Sequence, residues 1–219
     1  VKDFVQRAEV ELGSYYMAKD ANGNEGIIRH IIWSDVIVCP ECEKELSYFE
    51  NGTNRNPVQF KKAITCPCCR KTHNVDEFKP ALESVYDSLL KKEIVRKKRR
   101  PAWIYGTTNG ENWDRKVNDE DLNFLRKLDE LEYDEYDMPK EICWGELHRT
   151  GYHLGITHLH HFYTKRNYIV MYKLWELTQG YSAKERDALQ LLLLSYNATH
   201  CTMMTRVVAK KKSKDFVLT

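Results

Sequence analysis

Two pairs of cysteines, each pair with two residues between its members, constrain this chain more than any other feature. The first pair is Cys39-Pro-Glu-Cys42 and the second is Cys66-Pro-Cys-Cys69. Two cysteines at this spacing in a tight turn can point both sulfur atoms at one ion, and two such knuckles complete a tetrahedron. Proline after the first cysteine of each pair fixes φ within the turn. The pattern predicts a structural zinc site with four ligands, Cys39, Cys42, Cys66 and Cys69, inside a zinc ribbon.

The remaining cysteines fit this site less well. Cys68 lies inside the second knuckle and could compete as a ligand, but Cys69 has the right spacing. His73 is a weaker substitute, and we expect Cys143 and Cys201 to be ordinary semi-buried thiols. Four thiolates leave the ion no open coordination position, so the predicted zinc is structural rather than catalytic.

The cysteine usage and the hydropathy also bear on the compartment. Closely spaced cysteines without a secretory signal favour metal binding in a reducing compartment over disulfides. No apolar stretch approaches the roughly 20 residues that span a bilayer. We therefore expect a cytoplasmic protein with no membrane partner.

Charge is segregated along the chain although the formal net charge is only +2. Residues 91–100 (KKEIVRKKRR) and 210–214 (KKKSK) are basic, whereas residues 119–137 are acidic. Segregation of this kind favours a polyanionic partner for one face. The alternative is that the basic runs are solvated helix ends or a tail.

Periodicity predicts more helix than strand. Apolar residues recur at helical spacing in five segments. Residues 27–38 are instead predicted to form a strand, and residues 43–65 a short pair of strands. Residues 103–113 and 144–161 read as loops. The five predicted helices cover residues 1–19, 80–98, 119–131, 164–178 and 182–197.

These elements predict an α+β fold, with a predominantly helical body and a small zinc-ribbon antiparallel β unit. The chain of 219 residues is long enough for one large domain or two small ones. We divide it into an N-terminal helix with a strand lead-in (1–32), the zinc ribbon (33–79), and a mostly helical recognition and packing region (80–219).

The segment 144–175 is rich in histidine and aromatic residues. Histidines 158, 160 and 161 raise the question of a second metal site. No carboxylates are interleaved with them, and mixed His/carboxylate ligands would be expected for such a site. We therefore expect a packed loop with hydrogen-bonded histidines.

The order of motifs resembles a known family. A strand, CPxC, a hairpin, CPxC, a helix, a basic stretch and a Gly-rich loop precede a helix that begins F-Y-T-K-R-N-Y-I-V-M-Y. This order is similar to the interior of large bacterial DNA methyltransferases of the N4-cytosine/N6-adenine class, where a phrase F-T-x-R-(N/Q)-L opens a helix after the zinc knuckles. The matching residues are Phe162, Thr164, Arg166, Asn167 and the helix through Trp175, and the resemblance covers most of residues 33–197.

Two departures from the family narrow what the resemblance implies. The chain lacks an F-x-G-x-G turn for S-adenosylmethionine, and it contains no Pro-Pro dipeptide for the catalytic motif. The resemblance therefore implies the target-recognition segment between those motifs, from a restriction-modification methyltransferase. The sequence starts at Val1, and we expect a fragment that does not methylate DNA alone. Its expected partners are double-stranded DNA and the parent's catalytic domain, and S-adenosylmethionine is a cofactor only of the full-length parent.

Recognition of duplex DNA needs phosphate contacts, which hold and orient the protein on the duplex, and base-edge contacts, which give specificity. Arg166 falls in the first turn of its predicted helix, where a cation is poorly placed for the helix dipole, so we expect a partner for it, a protein carboxylate in preference to a phosphate. The tail lysines are weaker candidates. The candidate DNA-binding residues are Lys92, Arg96, Lys97, Lys98, Arg99, Arg100, Asn109, Arg149, Lys165 and Arg166.

Two other functions remain open. The first is a module that is stabilised by zinc and binds another protein, and the acidic residues 130–137 would suit this function. A ββα-metal nuclease is less favoured, because His160 and His161 lack an acidic partner in the sequence and the cysteines do not bracket them.

Overall fold

The computed structural model describes residues 1–132, 139–143, 154–197, 202, 207–210 and 215–218. Helix and strand are equally abundant, at 36% each, and a curled antiparallel sheet of six strands dominates the molecule. The prediction of a predominantly helical body is therefore wrong. The division into residues 1–32, 33–79 and 80–219 stays a prediction.

The helices and strands follow one another with short connections, several of them 3₁₀ turns. The helices are α1 (Lys2–Leu12), α2 (Tyr48–Gly52), α3 (Asp119–Asp129), α4 (Lys165–Thr178) and α5 (Ala183–Tyr196). The strands are β1 (Met17–Lys19), β2 (Glu25–Val38), β3 (Glu45–Ser47), β4 (Thr53–Arg55), β5 (Val58–Phe60), β6 (Ala63–Thr65), β7 (Thr72–Asn74), β8 (Lys79–Pro80), β9 (Leu82–Asp87), β10 (Lys92–Lys97), β11 (Arg99–Thr108), β12 (Glu111–Lys116), β13 (Val207–Val208) and β14 (Val217–Leu218).

Strand β2 is the centre of the main sheet. The sheet has the order β1-β2-β11-β12, and β3 and β8 also pair with β2 near its C-terminal end. Ile28, Ile32 and Val36 are buried at regular intervals along β2, as expected for a strand with one face on the core. The strand predicted at residues 27–38 is thus present, and it leads directly into Cys39.

The pairing of β11 with β2 contains two register shifts, between Pro101 and Trp103 and between Tyr105 and Gly106. Such irregularities increase local twist, which accounts for the curl of the sheet. Pro101 has no N–H to donate to the ladder, and it is tolerated here because the regular hydrogen bonding is already interrupted at the first shift.

Residues 80–98, predicted as a helix, instead form an antiparallel ribbon of β9 and β10. The two strands pair from Leu82↔Lys97 to Lys92↔Asp87 and pair with no other strand among the described residues. Two of the leucines that made the segment look helical, Leu89 and Leu90, lie in the turn. There their N–H groups donate to Oδ1 of Asp87 at 3.0 and 2.9 Å. The side-chain-capped turn closes the hairpin and overrides the helical spacing.

Residues 103–113, predicted as a loop, contribute to the β11–β12 hairpin. Thr108 lies opposite Glu111, which leaves Asn109 and Gly110 as a two-residue turn with φ of 51° and 83°. Both positions lie in the left-handed region, where Asn-Gly is the favoured hairpin sequence. The dipeptide was therefore the available signal for this hairpin.

The later helices follow their predicted caps. The side chain of Thr164 accepts a hydrogen bond from the N–H of Asn167 at the start of α4. Ser182 and Glu185 form the capping box of α5. No helix within the described residues is both long and apolar enough to cross a membrane.

Candidate metal centre and histidine clamp

The two cysteine knuckles bring four sulfur atoms together. Cys39 and Cys66 are buried, and Sγ of Cys39 lies 3.8 Å from Sγ of Cys69. Sγ of Cys42 lies 3.7 Å from Sγ of Cys66. All four ligand atoms lie within 4.8 Å of one another. These spacings are within metal-binding distance and far beyond the roughly 2.05 Å of a disulfide bond.

The two knuckles have the same backbone geometry. In the first, the N–H of Glu43 donates to the carbonyl of Cys39, and the N–H of Cys39 donates to the carbonyl of Lys44, both at 3.0 Å. In the second, Arg70 and Lys71 have the corresponding roles around Cys66, both at 2.9 Å. Glu43 and Arg70 both have φ near 60°. Non-glycine residues rarely adopt this conformation, so the repeated hydrogen bonds hold each turn in place.

Backbone N–H groups also point at the sulfur atoms. The N–H groups of Cys69 and Cys68 lower the pKa of the Cys66 thiol to about 7. The N–H of Lys44 works to lower the pKa of Cys42, but burial and hydrogen bonds from the neighbouring thiols raise it to about 12. A divalent cation among the four sulfur atoms would favour the thiolate form of all of them.

The other candidate ligands lie outside this cluster. Cys68 is exposed on the surface of the second knuckle. Nδ1 of His73 faces Oε2 of Glu77 at 3.5 Å, and its ring packs edge-on against Phe78. The choice of Cys69 over Cys68 and His73 thus agrees with the positions of the side chains.

A second cluster joins Asp87 at the end of β9 to His160 and His161, which precede α4. Oδ2 of Asp87 lies 2.9 Å from Nε2 of His160 and 2.7 Å from Nε2 of His161. All three side chains are at least 92% buried. The sequence argument found no carboxylate near these histidines because Asp87 lies 73 residues before His160 in the chain.

The hydrogen bonds of His161 identify this cluster as a clamp rather than a metal site. Nδ1 of His161 accepts from the N–H groups of Thr157 at 3.1 Å and His158 at 3.3 Å. The ring proton is therefore on Nε2, which donates to Asp87, and a nitrogen that carries a proton cannot bind a metal ion. The clamp fixes one end of the β9–β10 ribbon, the strand pair Leu82–Asp87 and Lys92–Lys97, to the segment before α4.

The predicted basic DNA contacts divide into two groups. Those on β11 or just before it are engaged by carboxylates: Lys98 bonds Glu45 at 2.7 Å and Arg99 bonds Asp35 at 2.8 Å. Arg100 lies 3.8 Å from Glu45 but is largely exposed. On the ribbon, Lys92 is exposed near the turn and Arg96 pairs with Glu83 at 2.8 Å.

Three of the remaining predicted contacts that fall within the described residues lie on other elements than the ribbon. Asn109 is exposed in the β11–β12 turn. Lys165 is half-buried at the start of α4, and Arg166 is buried. Arg149 falls outside the described residues.

Comparison with known proteins identifies no relative: no family model, curated protein or solved structure matches the chain. The function must therefore be argued from the geometry.

The clamp predicts a pH dependence of stability. Burial raises the pKa of the Asp87 carboxyl, but hydrogen bonds from His160, Leu90 and His161 outweigh it and hold that pKa well below its usual range. Burial lowers the pKa of His161. Because His161 takes up a proton more readily when unfolded, the free energy of unfolding should decrease as pH falls below about 6.5. The contribution of Asp87 should be lost only below about pH 4.

Urea titrations at several pH values test this prediction. His161→Gln should flatten the decrease between pH 7 and 5. Asp87→Ala leaves two buried imidazole N–H groups without an acceptor and should cost about 2–4 kcal/mol at pH 7. Asp76→Ala, at an exposed carboxylate, should change stability by less than about 0.5 kcal/mol. Equal effects of the two aspartate substitutions would contradict the clamp.

Proposed function

We propose that the four-cysteine cluster binds one structural zinc ion. A tetrahedral zinc site with Zn–S bonds of about 2.3 Å places its sulfur atoms about 3.8 Å apart. The separations of 3.8 Å between Cys39 and Cys69 and 3.7 Å between Cys42 and Cys66 fit this value. Four thiolates close the coordination sphere, so the ion would stabilise the fold and take no direct part in chemistry.

Metal analysis by native mass spectrometry tests this proposal. The protein should carry one zinc ion per chain, and Cys66→Ser should lose it and reduce the free energy of unfolding by at least about 3 kcal/mol. Cys68→Ser is the matched control in the same knuckle and should keep both the metal and the stability. Retention of zinc by Cys66→Ser, or its loss from Cys68→Ser, would show that the ligand set is wrong.

We propose that the module recognises duplex DNA and that the β9–β10 ribbon is its principal contact. The observation that carries this proposal is the ribbon itself: two strands, paired only with each other among the described residues, with a basic turn. A two-stranded ribbon fits the major groove of B-form DNA, as a helix does. Lys91 and Lys92 lie exposed at the turn, where they would meet the phosphate backbone first.

The two faces of the ribbon differ. The inner face is covered where Gly155 approaches Arg96 so closely that a Cβ on Gly155 would lie 2.3 Å from Cβ of Arg96. The outer face presents Leu82, Tyr86 and Val95, which are 50%, 62% and 56% exposed. Lys97, opposite Leu82, and Glu93, opposite Tyr86, lie on the same face. Exposed apolar and aromatic side chains suit contacts with thymine methyl groups and with unstacked bases.

The resemblance to amino-group DNA methyltransferases suggests which reaction would need this recognition of DNA. We propose that the parent protein methylates cytosine N4 or adenine N6 with S-adenosylmethionine and that this segment selects the site. An enzyme that modifies a base must grip the duplex and help to extrude that base. The segment has no catalytic residues of its own in this proposal.

Binding to another protein is the second candidate function, because an exposed apolar face also suits a protein partner. The outer face of the ribbon would then be buried against an apolar surface, and salt would have little effect on affinity. We do not propose a nuclease, because the clamp of Asp87, His160 and His161 is buried and internally hydrogen-bonded.

Fluorescence anisotropy with labelled duplex pools at several salt concentrations separates these functions. DNA affinity should decrease steeply with salt, since each phosphate contact contributes about −0.9 to the slope of log K against log [salt]. Lys91→Glu with Lys92→Glu should weaken binding at least about tenfold and make that slope shallower by about two.

Lys173→Glu with Lys184→Glu provides the control, because it makes the same change in net charge at exposed positions on α4 and α5. This control should bind within about twofold of the unaltered protein. Equal weakening by both double variants would indicate a nonspecific charge effect. Absence of binding at low salt would favour the protein-binding function.

A further inference from the structure

Arg166 is a buried cation that neither the metal centre nor the ribbon uses. It lies in the first turn of α4 and only 5% of its surface is exposed. Its guanidinium carbon lies 4.7 Å from the centre of the Tyr16 ring, a cation–π contact. The hydroxyl of Tyr16 in turn donates to Oδ1 of Asn167 at 3.0 Å.

The charge of Arg166 has no counterion within the described parts of the chain. No carboxylate there forms an ion pair with it, and its Nε and Nη1 atoms have no hydrogen-bond acceptor among those residues. Burial lowers the pKa of the guanidinium. Burying a charged group without a partner is costly, and a bound anion is one way to offset that cost.

A cavity lies beside Arg166. It has a volume of about 210 Å³ and is bounded by β1, β2, β11, α3 and α4. Its walls are mainly apolar. Ile28, Ile104, Phe124 and Leu125 line it together with Arg166.

The acidic residues of the wall limit which anions fit. Glu120 pairs with Lys19 at 2.7 Å, and Asp121 pairs with Arg115 at 2.6 Å. Glu25 lines the same cavity. Glu120 and Asp121 are therefore largely neutralised, and the negative charge of Glu25 would disfavour a multiply charged phosphate more than a single negative charge, which can pair with Arg166.

We propose that this cavity binds a small monocarboxylate with an apolar body. The carboxylate would accept hydrogen bonds from the Arg166 guanidinium, and the apolar body would lie against Ile28, Ile104 and Phe124. Such a ligand would supply a counterion, which no described residue provides, and would fill the apolar space. The inference is independent of the ribbon's proposed contact with DNA, because no residue that lines the cavity belongs to the β9–β10 ribbon.

NMR titration of the protein with 4-methylpentanoate tests the proposal. The acid should shift signals of Ile28, Ile104 and Arg166 in a saturable manner. Its neutral isostere 4-methylpentanamide should bind at least about tenfold more weakly, because it lacks the charge-assisted hydrogen bonds. Inorganic phosphate should not compete. Equal binding of acid and amide, competition by phosphate, or no saturable shift would each overturn the proposal.

Variants separate a binding role of Arg166 from a structural one. Arg166→Met should weaken acid binding at least about tenfold while the melting temperature stays unchanged or rises, because an unpaired buried charge is removed. Arg186→Met, on the surface of α5, should change neither quantity. Ala18→Leu keeps the guanidinium but narrows the cavity, and it should also abolish binding. Binding that survives both Arg166→Met and Ala18→Leu would show that the ligand binds elsewhere.

Discussion

The backbone of Val36 is the point on which the rest of the structure depends. Its N–H donates to the carbonyl of Lys98 at 2.9 Å, and its carbonyl accepts from the N–H of Ala81 at 2.8 Å. The N–H of Lys98 closes the set by donating to the carbonyl of Ala81 at 2.8 Å. On β3, Ser47 lies opposite Val36. One residue of β2 therefore joins the base of the ribbon to the strand that enters the metal centre.

The hydrogen bonds at Val36 explain why the metal centre would affect the β9–β10 ribbon, although the ribbon contains no metal ligand. Cys39 follows β2 directly, so a metal ion that fixes the first knuckle would also fix the register of β2. A slip of one residue in that register would exchange the buried and exposed faces of the strand. The predicted zinc would thus hold the base of the ribbon in a defined position, while the clamp at Asp87 holds its other end.

The basic residues between positions 91 and 100 have two different roles, and the composition of the segment alone does not show which residue has which role. Lys98 and Arg99 engage Glu45 and Asp35 and so tie the base of the ribbon to the sheet and the metal unit. These two ion pairs are partly buried, and the charges of Lys98 and Arg99 are already neutralised by their partners. Lys91 and Lys92, at the other end, face solvent. Within this run, the positive charge available to a polyanion therefore lies at the turn of the ribbon and at the largely exposed Arg100.

Local chemistry was predictable from the sequence, and long-range pairing was not. The cysteine knuckles and the caps at Thr164 and Ser182 depend on residues within a few positions of one another, and the structure contains each of them. The ribbon was missed because Leu82, Val85, Leu89 and Leu90 have helical spacing, whereas the turn at Asp87 determines the conformation. The Asn109-Gly110 hairpin was missed although its signal was present. The clamp of Asp87 with His160 and the isolation of Arg166 depend on contacts between distant segments.

The central claim is that the outer face of the ribbon contacts DNA, and site-specific photo-cross-linking tests it most directly. A photoreactive phenylalanine analogue at Tyr86, which is 62% exposed, would face outward. The same analogue at Val10 of α1, which is 84% exposed, would lie on a different element. The account predicts cross-links to a duplex at low salt from position 86 and none from position 10. Cross-links from position 10 with none from position 86 would contradict the account and place the DNA surface elsewhere.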